Sequence, residues 1–167
     1  MVLKRKKNLA DLFADLNAVI SAYFFKAPVK KMITLFATVI NLPTGEATFL
    51  DYGHNFPLKI SINGEITELK MINVPIGVLR KMRKKEIDKF IINKGDTIVF
   101  YTDGIIEATG NTSEQYGYNR FKENLLEVSN NNSNTIMNSL IANYNKWKDG
   151  TEPDDDVTLV VLKRLST

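Results

Sequence analysis

The sequence predicts an α+β fold in which antiparallel strands run together and helices stand apart from them. Three observations predict it. Apolar residues recur at spacings of three and four near the N-terminus, at Leu9, Leu12, Phe13, Leu16, Val19, Ile20, Tyr23 and Phe24. Short β-branched runs separated by tight-turn residues then follow one another from Met32 to Tyr101. Two further segments of helical spacing and one last apolar run close the chain. Segregated runs of this kind build α+β layers rather than alternating βαβ units.

The first helix is expected from Asn8 to about Phe25. Asn8 supplies an N-cap oxygen, Asp11 sits three residues on, and Pro28 ends the pattern. All eight apolar positions are expected on one face, packed on a sheet. Met32 to Leu42 and Glu46 to Tyr52 flank Pro43-Thr44-Gly45 and read as a hairpin. Leu58 to Ile62 and Glu65 to Leu69 flank Asn63-Gly64, whose two residues tolerate positive φ and so form a second hairpin. Ile87 to Ile92 and Thr97 to Tyr101 are strands joined by Asn93-Lys94-Gly95-Asp96. Asn119 to Val128 and Ser133 to Trp147 read as helices, and Val157 to Leu162 as a buried final strand.

Composition bounds the chemistry. The chain has 167 residues, 22 Lys plus Arg against 19 Asp plus Glu, and a net charge of +3. That balance is not the composition of a nucleic-acid binder. There is no cysteine and a single histidine, so thiolate metal sites, cysteine nucleophiles and histidine-rich zinc sites are excluded. A bound metal would be held by oxygen, which favours magnesium or manganese. No run approaches the roughly 18 apolar residues of a membrane span. The basic start, Lys4 to Lys7, runs into Asp11 and Asp15 rather than an apolar core, so a signal peptide is not expected. The expected setting is cytoplasmic, with neither nucleic acid nor membrane as partner.

Three stretches could carry chemistry: Asp51-Tyr52-Gly53-His54-Asn55, Tyr101-Thr102-Asp103-Gly104 and Asp154-Asp155-Asp156-Val157-Thr158. Carboxylates at strand ends can hold a hydrated divalent ion, and a following glycine lets the chain approach closely. By spacing alone the same residues are more often plain turns and a solvated acidic run. His54 reads first as a tie between a strand end and its neighbourhood. Trp147 lies off the main apolar face of its helix and reads as a partly buried anchor. Arg80 to Lys85 reads as a solvated basic loop that could meet an acidic partner.

Taken together, the motifs resemble those of the metal-dependent (type 2C-like) serine/threonine protein phosphatases of the bacterial SpoIIE/RsbU branch. The resemblance runs in order from Met32 to Leu162. It rests on Thr34-Leu35-Phe36 with Thr44-Gly45, on Tyr52-Gly53-His54-Asn55-Phe56-Pro57 and on Asn73-Val74-Pro75-Ile76-Gly77-Val78. It continues through Lys94-Gly95-Asp96, Phe100 to Ala108, Tyr116-Gly117 with Arg120-Phe121, and Asp155-Asp156-Val157-Thr158-Leu159.

The resemblance implies a four-layer α-β-β-α sandwich and a binuclear manganese or magnesium centre. Within it Asp103 and Asp155 correspond to metal ligands, and Gly104, Asp156, Thr158 and His54 to supporting residues. Implied substrates are phosphoserine or phosphothreonine regulators of the anti-anti-sigma (STAS-like) type. The family's early acidic motifs have no match here. Residues 1–167 are therefore expected to form a single SpoIIE-like domain corresponding to its C-terminal portion, with self-association through an exposed sheet edge. The alternative expectation is a catalytically impaired phosphatase fold that acts as a binding or regulatory module.

Overall fold

A computed structural model describes residues 8–82, 86–111 and 114–165. The Lys4 to Lys7 cluster and residues 83–85 of the basic run lie outside the described residues. The chain divides into two compact units, Met1–His54 with Lys70–Ile91, and Asn55–Leu69 with Ile92–Thr167.

The first unit joins helix α1 (Leu9–Phe24) to a sheet of order β1-β2-β5, with β1 at Leu35–Ile40, β2 at Glu46–Tyr52 and β5 at Asp88–Ile91. The helix begins in a capping box, with the Asp11 N–H donating to Asn8 Oδ1 at 2.9 Å and the Asn8 N–H to Asp11 Oδ2 at 3.5 Å. All strand pairs are antiparallel, and Leu35 opposite Tyr52 and Phe49 opposite Asp88 fix the register. Leu50, Tyr52, Leu35 and Ala37 face α1, where Ala10, Phe13 and Ile76 complete a core and Phe13 stacks on Tyr52 at 5.3 Å. Alternation along the strands puts Phe36, Phe49, Phe90 and Asp51 on the other face, and Phe49 lies 5.2 Å from Phe36 and 5.7 Å from Phe90.

The helix does not bury all its apolar residues. Leu12, Val19 and Tyr23 are 55%, 71% and 73% exposed, while polar Asn17 and Ser21 are buried. Eight apolar positions over sixteen residues cover more of the helix than one packing face can take. The packed stripe is decided by hydrogen bonds to the loop after Ile76. Asn17 Oδ1 accepts from the Gly77 N–H, its Nδ2 donates to the Leu79 carbonyl (both 2.9 Å), and Ser21 Oγ donates to the Arg80 carbonyl at 3.2 Å.

The second unit holds a sheet of order β4-β3-β6-β7, with β3 at Leu58–Ile60, β4 at Ile66–Glu68, β6 at Thr97–Tyr101 and β7 at Leu159–Lys163. A one-turn helix α2 (Asp103–Ile106) follows β6, and α3 (Tyr118–Val128) and α4 (Ser133–Lys148) cover one sheet face. Leu58, Ile60, Val99 and Tyr101 pack there with Phe121, Leu125, Ile136, Leu140 and Tyr144. Asp96 staples the turns: its carboxylate accepts the Ile62 N–H at 3.2 Å and the Asn93 N–H at 2.9 Å, and pairs with Lys59 at 3.1 Å. The Gly-Asp motif is thus explained by folding alone. Strand β7 is less buried than its composition suggests, because it is an edge strand and Val160 on its outer face is 51% exposed.

The expected fold class therefore holds: helices and two antiparallel sheets, with each sheet carrying helix on one face. Among the described residues no helix is long and apolar enough to cross a membrane.

Candidate functional site

Tyr101-Thr102-Asp103-Gly104 divides its labour residue by residue. Tyr101 faces the helices, with its ring 4.7 Å from Phe121, and burial pushes its hydroxyl pKa up to about 12. It is an anchor rather than a proton donor at neutral pH. Thr102 turns the chain out of β6 in extended conformation and starts α2. Its N–H donates to the Thr158 carbonyl at 3.1 Å, its Oγ1 donates to the Asp156 carbonyl at 3.0 Å, and the same Oγ1 accepts the Thr158 N–H at 2.9 Å. Gly104 lies so close to the closing segment that a Cβ there would meet the Asp156 carbonyl oxygen at 2.5 Å and that of Asp155 at 3.2 Å. Glycine is required here for approach, since its φ is not in the left-handed region.

Asp103, Gly104, Asp155, Asp156 and Thr158 are thus brought to one rim of the second unit. Asp103, Asp155 and Asp156 are exposed, and Asp155 Oδ1 accepts the Asp156 N–H at 2.7 Å. Their exposure leaves them accessible to a cation from solvent.

The three consecutive aspartates are not equivalent. Asp154 Oδ2 accepts from the Thr109 N–H and Oγ1, both at 3.0 Å, and from Lys148 Nζ at 3.3 Å. These donors, Thr109 first, hold its carboxyl below the usual range. Sequence reasoning gave roles to Asp155 and Asp156 by resemblance, gave none to Asp154, and missed Thr109 and Lys148. A signal was present: Ile136, Leu140, Tyr144 and Lys148 repeat every four residues, so a lysine continues an apolar helix stripe. A cation so placed calls for an anionic partner.

His54 belongs to the first unit. Its backbone N–H donates to Asp51 Oδ1 at 2.9 Å, and Asn73 Nδ2 donates to the Asp51 carbonyl at 2.7 Å. Gly53 makes this turn with φ +75°, and a Cβ there would lie 2.7 Å from Pro75 Cγ. Asp51 is fully buried, and its Oδ2 has no hydrogen-bond partner among the described residues. Burial pushes its carboxyl pKa up, against the lowering effect of the His54 N–H.

The donor set bears on metal binding. Two exposed carboxylates beside a glycine-lined backbone contact suit one hard, largely hydrated ion. Among the described residues no group of three or more His, Asp or Glu could hold a metal ion. By number the carboxylates described fall short of a two-ion centre.

Fold and motif order define the class, that of the type 2C phosphatase fold. The phosphatase domain of the cell fate determinant SpoIIE from Bacillus subtilis, in its Mn-presoaked form, has a TM-score of 0.64 to this chain at 15% identity, covering 99% of this chain and 70% of that one. The RsbU and RsbW domains of Rv1364c from Mycobacterium tuberculosis give 0.68 at 21% identity, covering 96% of this chain and 43% of that one. The chain belongs to the SpoIIE (stage II sporulation protein E) family, whose model matches residues 1–165. In sequence it is 28% identical over 136 residues to Protein IcfG of Synechocystis, covering 78% of this chain and 20% of that protein. It therefore spans about one-fifth of the length of that curated relative.

Proposed function

We propose that residues 1–167 act as a SpoIIE-like protein phosphatase domain in bacterial regulatory signalling. In this reading it removes phosphate from phosphoserine or phosphothreonine of a regulatory protein of the anti-anti-sigma (STAS-like) type in the cytoplasm. The observation that carries the reading is the stitch at Thr102, which sets the Asp103 turn directly against the Asp155–Asp156 backbone. Family membership supplies the reaction class.

Asp103 and Asp155 would hold manganese or magnesium. A divalent ion so held supplies electrostatic stabilisation to a phosphoryl group and makes water a better nucleophile. The chain's own part is positioning. Thr102 and Thr158 fix the height of the closing segment, Gly104 admits it, and Asp156 contributes its carbonyl to Thr102 while its carboxylate stays in solvent. His54 serves the first unit's turn through its backbone, and its imidazole is proposed as a supporting group only.

A second reading is favoured by the donor count. With no third acidic or histidine ligand among the described residues, the domain would act as a binding or regulatory module, self-associating or docking through a sheet edge such as β7. Manganese-dependent hydrolysis of p-nitrophenyl phosphate separates the two. Turnover that requires Mn2+ and disappears in both Asp103→Ala and Asp155→Ala supports the phosphatase. A wild-type chain without Mn2+-stimulated turnover leaves the binding module.

A further inference from the structure

We infer that Lys148, Asp154 and Thr109 form a clamp that positions Asp155 against Asp103, a role that rests on the metal-site reading above.

The closing segment from Thr151 to Thr158 is irregular and largely exposed, with no ladder of its own until β7 begins at Leu159. Something other than secondary structure must set its path. On one side of Asp155 the anchor is Thr102 with Gly104, as described. On the other side the anchor is Asp154, one residue away, which takes three hydrogen bonds from Thr109 and Lys148.

Thr109 is itself held. Lys148 Nζ donates to its carbonyl at 2.9 Å, and Trp147 Nε1 donates to the Ala108 carbonyl at 3.2 Å. Gly110 lies against the Trp147 carbonyl, where a Cβ would collide. The Arg120 guanidinium covers the Trp147 ring at 4.2 Å. The last turn of α4 therefore grips residues 108–110, which leave the Asp103 helical turn, and through Asp154 it also grips the segment that carries Asp155. Both acid-bearing turns are pinned to one buried ammonium, since Lys148 is only 4% exposed.

The energetics favour a specific geometry over general glue. A buried ammonium is tolerated only when its donors are satisfied, and here the acceptors are one carbonyl and one carboxylate from the two segments. Removing the carboxylate leaves Lys148 short of its anionic partner and frees the 151–157 path. Partners that orient metal ligands commonly affect metal affinity by about 10–100-fold without touching the ion.

The test uses amide-resolved NMR on the full chain with Asp154→Ala and Asp154→Asn. In Asp154→Ala, hydrogen exchange at the Thr102 and Thr158 amides rises about tenfold while ladder amides of β6 and β7 stay at wild-type rates. The Mn2+ concentration that broadens the Asp103 and Asp155 signals rises about tenfold as well. Asp154→Asn, which keeps an acceptor for Thr109 but loses the charge facing Lys148, falls between. Unchanged exchange at Thr102 and Thr158 overturns the clamp, as does a rise shared equally by the β6–β7 ladder, which would mark general destabilisation. Absence of Mn2+ broadening in the wild type together with loosened Thr102 and Thr158 amides sinks the metal reading and leaves the positioning of the two turns standing.

Discussion

Each unit ends a strand in an acidic turn with a glycine, and the two turns do opposite things. In the first, Asp51 points into the protein, gives one oxygen to the His54 N–H, and keeps the other buried without a partner among the described residues. In the second, Asp103 is exposed while its neighbours Thr102 and Gly104 make the close contacts with the closing segment. The same short pattern turns its carboxylate inward in one place and leaves it exposed, as the proposed ligand, in the other. Burial of the carboxylate, not its position at a strand end, separates the two.

The contrast can be broken most forcefully at the exposed pair. Asp103→Ala and Asp155→Ala should each lower Mn2+-dependent phosphatase turnover by at least about 100-fold, since each removes a proposed ligand rather than its support. Urea denaturation should show a stability change within about 0.5 kcal/mol, as for other exposed side chains. A large loss of stability in either variant would show that the rim carboxylates hold the fold together.

The glycines sharpen it next. Gly104→Ala drives a Cβ into a backbone carbonyl that cannot rotate away, so a loss of about 2–3 kcal/mol is expected from chemical denaturation. Gly53→Ala combines a left-handed φ with the Pro75 contact and should cost about 1–3 kcal/mol. Only Gly104→Ala should also shift the Thr102 and Thr158 amide signals.

The smallest effect, and the one with a pH signature, belongs to Asp51. Its folded pKa lies above the ordinary value of 3.8 because burial disfavours the charge. The folded state therefore binds the proton more tightly than the unfolded state. Below about pH 3.8 both states are neutral there and no penalty exists. Stability falls as pH rises through the folded value, and the full penalty persists above it. Asp51→Asn keeps an acceptor for the His54 N–H and removes the charge. Its Tm should exceed wild type by a few degrees at pH 8, with the gap closing toward pH 4. A gap that widened on acidification would mean that the carboxylate is paired and stabilising.

Much of this molecule was legible in order along the chain. The Asn8 cap, both hairpins and the order of strands and helices follow from local rules of capping, alternation and turn chemistry, and the family motifs from resemblance. The one-turn helix at Asp103 was read only as a turn, because four residues carry too little periodicity to distinguish the two. The stripe of α1 that packs was misjudged, because Asn17 and Ser21 win their burial through hydrogen bonds to a loop sixty residues away. By local pattern alone Asp154 could not be told from Asp155 and Asp156; the family resemblance set the latter two apart, but what holds Asp154 shows only where something packs against it.

What the sequence by itself determined is the set of segments, their types and the residues available for chemistry. Each of these depends on neighbours within about one turn or one hairpin. Tertiary structure alone decided which acidic residues are exposed and which segments that carry them share a rim. That depends on desolvation and on partners distant in the chain, such as Thr109 for Asp154 and Thr102 for Asp156, which no local pattern encodes.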